Sequence, residues 1–260
     1  MRVRKAMQPS SEYQTTGTAL VTGGSRGLGA SIALELGRSG AAVAVNYFER
    51  QDRADEICKE ISNLGGRARA FQADVRDEEQ AARMVKEIVA WSGTIDIAVF
   101  NATGPQPFFS IEEQTWQIYL QQLEFFVKSP LILAKLLLPG MKEKGYGRII
   151  QIGSEVVEVG NPRFAHYVAA KAAQLGLTRS WARELAGTGI TVNLVAPGWI
   201  PTERHRDSSQ AEIDEYKKSV PMQRMGTPQD VAAIVAFLAS KNASFITGQK
   251  ISVNGGNTLA

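Results

Sequence analysis

Tyr167 and Lys171 stand four residues apart in the run Tyr-Val-Ala-Ala-Lys. On a helix that spacing puts both side chains on one face, displaced by about 6 Å along the axis, so a phenol and an ammonium share the same space. A free phenol has a pKa of roughly 10 and gives up its proton poorly at neutral pH, but a neighbouring cation favours the phenolate. Tyr167 so placed can serve as a general acid or base. A Tyr and a Lys on a surface helix otherwise do nothing, and the pair gains meaning only from its surroundings.

The second group with chemical content is Thr22-Gly23-Gly24-Ser25-Arg26-Gly27-Leu28-Gly29, which follows an apolar strand pattern and opens a helical one. Where side chains are absent, backbone N–H groups can approach an anion, and the helix N-terminus adds partial positive charge, so the turn suits a pyrophosphate. Its glycines are spaced Gly-x-x-x-Gly-x-Gly rather than G-x-G-x-x-G. Nucleotide choice falls at the end of the second strand, where an acidic residue holds the ribose 2′-hydroxyl of NAD. Asn46 and Tyr47 stand there, with Glu49 and Arg50 just beyond. An amide does not repel a 2′-phosphate, and Arg26 is available to pair with one, so NADP(H) is expected over NAD(H).

Elements that must position these groups follow from the hydrophobic pattern. Short apolar runs predict strands at Thr18–Thr22, Ala42–Asn46, Ala68–Gln72, Ile95–Phe100, Arg148–Gly153, Thr191–Ala196 and Lys250–Val253, each suited to burial on both faces. Amphipathic stretches between them predict helices at Gly27–Ser39, Asp52–Leu64, Asp77–Trp91, about Thr115–Lys144, Ala165–Ala186 and Pro228–Ser240. Asp77 and Thr227 read as N-caps, Gly40 and Gly65 as C-caps. The alternation predicts an α/β fold: one Rossmann-type, doubly wound sheet of seven parallel strands with helices on both faces. Residues 1–16 read as an extension, and 17–260 as a single catalytic domain. Within it 198–226, charged and broken by Pro201 and Pro221, reads as a flap over a cleft.

Composition narrows the function classes. A 260-residue chain that is 44% hydrophobic and 21% charged can bury a sizeable core, and no apolar run reaches the ~18 residues of a membrane span. Arg2, Arg4 and Lys5 against Glu12 place two of the three net positive charges in the first sixteen residues. The body is therefore nearly neutral, and neither nucleic acid nor a membrane surface is expected as a partner. One cysteine excludes an internal disulfide. The N-terminal segment has no apolar signal region, and a cytoplasmic location is expected. With two histidines and one cysteine, no metal site is expected.

With these residues in place the chain resembles the short-chain dehydrogenase/reductase family, in particular the 3-oxoacyl carrier-protein reductases, from about Thr18 to Gly256. The glycine turn, Ser154 thirteen residues before Tyr167, and Lys171 four after it recur in that order. The resemblance implies that Ser154 orients and polarises a substrate carbonyl and that Tyr167 transfers the proton. Lys171 would hold the nicotinamide ribose and tune the tyrosine. It further implies nucleotide contacts from Gly23, Ser25, Arg26, Gly27, Leu28, Gly29 and Asn46, from Asp74 and Val75, from Asn101 and Ala102, and from Pro197, Gly198, Ile200 and Thr202, besides Tyr167 and Lys171. The substrate is then a small-molecule carbonyl or alcohol, and the family implies a homo-oligomer, dimer or tetramer, through the apolar face around Leu123–Leu138.

Three features depart from the family pattern. The usual Asn-Asn-Ala-Gly is Phe100-Asn101-Ala102-Thr103. The long central helix lacks the asparagine that the family uses to hold a relay water; Leu123 or Phe126 falls near its place, with Gln121 and Gln122 the nearest amides. Gly145 and Thr188 stand where carrier-protein reductases present arginines. Glu155, Glu158 and Arg163 lie between Ser154 and Tyr167, lining a pocket or a solvated loop, while His166 reads as packing. The main expectation is an NADPH-dependent reductase of a 3-oxoacyl or related ketone. Its rivals are an NAD-dependent secondary-alcohol dehydrogenase and a catalytically weak nucleotide-binding scaffold.

Overall fold

A computed structural model of the chain describes residues 14–206 and 208–259. Seven strands, β1 (Thr18–Val21), β2 (Ala42–Tyr47), β3 (Arg67–Gln72), β4 (Ile95–Phe100), β5 (Gly147–Ile152), β6 (Ile190–Pro197) and β7 (Lys250–Val253), form one sheet in the order β3-β2-β1-β4-β5-β6-β7. Every neighbouring pair is parallel. The strand order reverses direction between β1 and β4, so their carboxyl ends diverge into a crevice, the place where open α/β sheets bind ligands.

The five inner strands are buried almost throughout, as strands covered on both faces must be. Burial of both faces fails at the two edges. In β3 exposed and covered residues alternate, and β7 is half-buried along its length. An edge strand has only one neighbour, and a covering helix does not reach beyond it.

Helices α1 (Gly27–Arg38), α2 (Gln51–Asn63), α3 (Glu78–Ser92), α4 (Trp116–Leu123), α5 (Ser129–Lys144), α6 (Val156–Val159), α7 (Ala165–Leu185), α8 (Gln210–Ser219) and α9 (Pro228–Ala239) complete the fold. One core joins Ile32 and Leu36 of α1 and Val231, Val235 and Leu238 of α9 to the sheet. The opposite core joins Met84 and Ile88 of α3, Leu133 and Leu137 of α5, and Ala182 and Leu185 of α7. The Asp77 cap accepts a hydrogen bond from the Gln80 N–H, and Thr227 forms a reciprocal capping box with Asp230.

Three boundaries differ from expectation. The long central helix is interrupted by a π turn at Glu124–Lys128 between α4 and α5. The stretch 198–226, expected as a flap, holds a whole helix, α8, started by a Ser209/Glu212 capping box. Thr15, assigned to the N-terminal extension, is already buried and its N–H donates to the Ser39 carbonyl. The rest of the extension, residues 1–13, lies outside the described residues.

Candidate active site

Helix α7 presents Tyr167, Lys171, Gln174 and Thr178 along one buried face, the i, i+4, i+7, i+11 stripe of a helix lying on a sheet. Two polar bonds fix that face to β5. Gln151 donates to the Thr178 hydroxyl at 3.0 Å, and the Lys171 ammonium donates to the Ile152 carbonyl at 2.5 Å. Lys171 also donates to Gln174 Oε1 at 3.2 Å. Only 4% exposed, this cation has exchanged water for a carbonyl, an amide oxygen and ring faces.

Ser154 lies two residues beyond Ile152, half-buried at the carboxyl end of β5. Its hydroxyl accepts a long 3.4 Å bond from the Val156 N–H. This leaves its own proton free to donate. The tie from Lys171 to Ile152 thus fastens α7, one turn beyond Tyr167, to β5 two residues before Ser154.

Tyr167 is 9% exposed. Phe164 stacks on it at 4.7 Å between centroids, and Phe126 meets it edge-on at 5.5 Å. Phe108, itself stacked on Phe164 at 4.6 Å, carries the aromatic column out to the surface. Neither Phe108 nor Phe164 carried a signal in the sequence, because contacts between distant loops have no local pattern. His166 is fully buried among Phe109, Tyr119 and Phe164, and burial holds its imidazole below the usual histidine range. It packs, as its helix face implied.

The glycine turn is built by close approach. Gly23 adopts φ +62°, and a Cβ on Gly29 would fall 2.2 Å from the Gly23 carbonyl and 2.5 Å from Asn101 Nδ2. Asn101 in turn donates to the carbonyls of Thr22 and Gly23, and the N–H groups of Asn101 and Ala102 donate to the Thr22 hydroxyl. These bonds lock the turn onto the end of β4. Ser25 and Leu28 are half-buried beside it. Arg26 is exposed at the N-cap of α1, with no ion-pair partner among the described residues.

Asn46, expected near the nucleotide, is held by the protein itself. It is 2% exposed; its Oδ1 accepts from the Gly23 N–H, and its Nδ2 reaches the carbonyls of Tyr47, Phe71 and Ala73. The amide therefore braces the glycine turn against β2 and β3. Arg50 is spent on Asp52 in a two-toothed pair, and that guanidinium holds the Asp52 carboxyl down at about 2.

Asp74 is likewise paired, with Arg76 at 2.9 and 2.7 Å, and the Arg76 guanidinium depresses its pKa. Val75 is buried next to it. Asp74, Arg76, Glu124 and Lys128 line an open concavity of about 570 Å³. Strand β6 finishes in Pro197, whose carbonyl accepts from the Glu155 N–H, and Ile200 is buried. Thr202 caps a turn with His205 and, with Glu203, lies over Gly27.

One further group emerges only from the fold. Glu155, 5% exposed, accepts from the Tyr216 hydroxyl of α8 at 2.7 Å and from the Asn257 amide at 3.1 Å. Tyr216 OH also accepts from the Trp199 N–H. Burial pushes the Tyr216 phenol well above its ordinary value, so it stays a donor to the carboxylate. Glu155 therefore ties the Ser154 loop to α8 and to Asn257. Among the described residues no cluster of His, Cys, Asp and Glu suits a metal, and no helix is long and apolar enough to cross a membrane.

A doubly wound sheet with a glycine turn at its switch point is the frame of a dinucleotide-binding protein. Residues 23–258 match the family model described as Enoyl-(Acyl carrier protein) reductase. The 3-oxoacyl-[acyl-carrier-protein] reductase FabG of Staphylococcus aureus is 43% identical over 93% of this chain and 98% of its own. The corresponding Pseudomonas aeruginosa reductase is 37% identical over 92% and 96%. Among solved structures, a double mutant of a Serratia marcescens short-chain dehydrogenase/reductase superposes with a TM-score of 0.88 at 35% identity, covering 96% of this chain and 100% of that one. A promiscuous reductase, LugOII, that catalyses a keto-reduction during lugdunomycin biosynthesis gives 0.87 at 32%, covering 95% and 100%. The chain belongs to the short-chain dehydrogenase/reductase family.

Proposed function

We propose that this protein is an NADPH-dependent carbonyl reductase acting on a 3-oxoacyl thioester or a related ketone. The observation that carries the reading is the bond from Lys171 to the Ile152 carbonyl, which fastens the Tyr167 helix to the strand that ends at Ser154. The glycine turn fits a dinucleotide, since tight packing at Gly29, where a Cβ would strike the Gly23 carbonyl and the Asn101 amide, holds the turn's backbone at the N-terminus of α1. The unpaired Arg26 supports a 2′-phosphate at that turn.

Bound there, NADPH supplies the hydride that reduces the carbonyl carbon. The Ser154 hydroxyl donates a hydrogen bond to the carbonyl oxygen, keeping its proton, and fixes the direction of the carbonyl. Tyr167 gives its phenolic proton to that oxygen as negative charge builds on it, producing the alcohol. The Lys171 ammonium, one turn along α7, stabilises the phenolate left behind. The 3-oxoacyl substrate class is favoured by the S. aureus and P. aeruginosa relatives. Residues 198–226 serve as the substrate flap, latched through Tyr216 and Glu155. Residues 17–260 act as one catalytic unit, and self-association uses the central helix, where Leu131 is 47% exposed.

Initial rates with acetoacetyl-CoA, a diketone and a simple ketone, each with NADPH and with NADH, test the reading. Oxidation of NADPH at the expense of a carbonyl, with NADH markedly slower, is expected. Turnover confined to secondary alcohols and NAD would support the dehydrogenase rival instead.

A further inference from the structure

Resting on that catalytic reading, we propose that Phe126 is a positioning residue for the proton transfer, holding the Lys171 ammonium on the face of its ring. The centroid lies 3.7 Å from Lys171 Nζ, well inside cation–π range, and the same ring meets Tyr167 at 5.5 Å and 81°. One side chain thus touches both the proton donor and the cation that tunes it. Phe126 is 2% exposed and Lys171 is 4% exposed, so the attraction operates where little water screens it.

The backbone explains why position 126 can do this. Phe126 lies in the π turn Glu124–Lys128, an extra-wide turn of a kind concentrated at functional sites. Its neighbour Phe125 leaves the same turn in another direction and carries the Arg76 guanidinium 4.5 Å above its own ring. Two consecutive phenylalanines therefore present faces to two different cations beside the crevice. The amides nearby do not compete: Gln122 donates to the Pro105 carbonyl and Gln121 is exposed.

A leucine would fill much of the same volume without a quadrupole, which separates packing from electrostatics. Replacing Phe126 with 4-fluoro-, 3,5-difluoro- and 3,4,5-trifluorophenylalanine weakens the ring's negative face stepwise at nearly constant shape. With acetoacetyl-CoA and NADPH, kcat/KM is expected to fall in step with fluorination, and Phe126→Leu to lose about tenfold. In the ligand-free protein, NMR should find the Lys171 ε-methylene protons displaced upfield by the ring. That displacement reports the ring over the ammonium. Equal kcat/KM across the fluorinated proteins, or Lys171 ε-methylene protons without an upfield displacement in the parent, would overturn the proposal even if Phe126→Leu failed to fold. Failure of the catalytic reading itself looks different: Tyr167→Phe would then retain turnover.

Discussion

The ammonium of Lys171 is hydrogen bonded to the main-chain carbonyl of Ile152, and that bond fastens the helix that carries Tyr167 to the strand that Ser154 follows. Lys171→Met keeps the stem and removes both the charge and the donor, leaving the buried carbonyl of Ile152 without this partner. We expect a loss of about 100-fold or more in kcat/KM, since general acid catalysis contributes on that order. Denaturation midpoints would show an accompanying stability loss of about 1–3 kcal/mol.

Gly29 has no room for a side chain, because its Cβ would strike both the Gly23 carbonyl and the Asn101 amide. Gly29→Ala must push the glycine turn off the end of β4. NADPH affinity, read by fluorescence titration, should fall at least about tenfold, with an overpacking cost of about 1–3 kcal/mol in thermal unfolding.

Arg26→Ala should weaken NADPH by about tenfold and leave NADH nearly unchanged, the mark of a guanidinium that pairs with a 2′-phosphate. Equal weakening of both nucleotides would assign Arg26 to the shared pyrophosphate instead. Asn46→Ala should hurt both nucleotides alike, because its amide supports the turn rather than the ribose.

Much of this was legible in the sequence. The strands announced themselves because inner strands of a parallel sheet are apolar on both faces, and the glycine turn because only glycine tolerates such crowding. The caps at Asp77 and Thr227 are local chemistry and could be read locally. Helix α8 was missed although Ser209 and Glu212 spell a capping box, since Pro201, Pro221 and the dense charge masked it. The roles of Asn46, Glu155 and Phe126 were not legible, because each depends on partners distant in the chain, from 23 residues for Asn46 and Gly23 to 102 for Glu155 and Asn257.

Tyr216→Phe removes one of the two side-chain donors to the buried Glu155 carboxylate. A bond to a charged group lost in this way costs about 2 kcal/mol. Because α8 lies in the flap, substrate KM should rise while NADPH affinity is nearly preserved; steady-state kinetics alongside nucleotide titration separates the two.

Asp230 closes the capping box on α9 and pairs with Arg224, which holds its carboxyl down at about 2, below the ordinary value near ~4. A depressed carboxylate stabilises the fold above its unfolded pKa and loses that contribution as pH falls from about 4 toward 2. Asp230→Asn should therefore be less stable than the parent at pH 7, and the gap should narrow across that acid window in denaturant titrations.

The most direct test of the central claim is the turnover of Tyr167→Phe with a 3-oxoacyl thioester under saturating NADPH. The account predicts that NADPH binds with nearly unaltered affinity while kcat falls by about 100-fold or more. A variant that reduces the thioester as fast as the parent would contradict it.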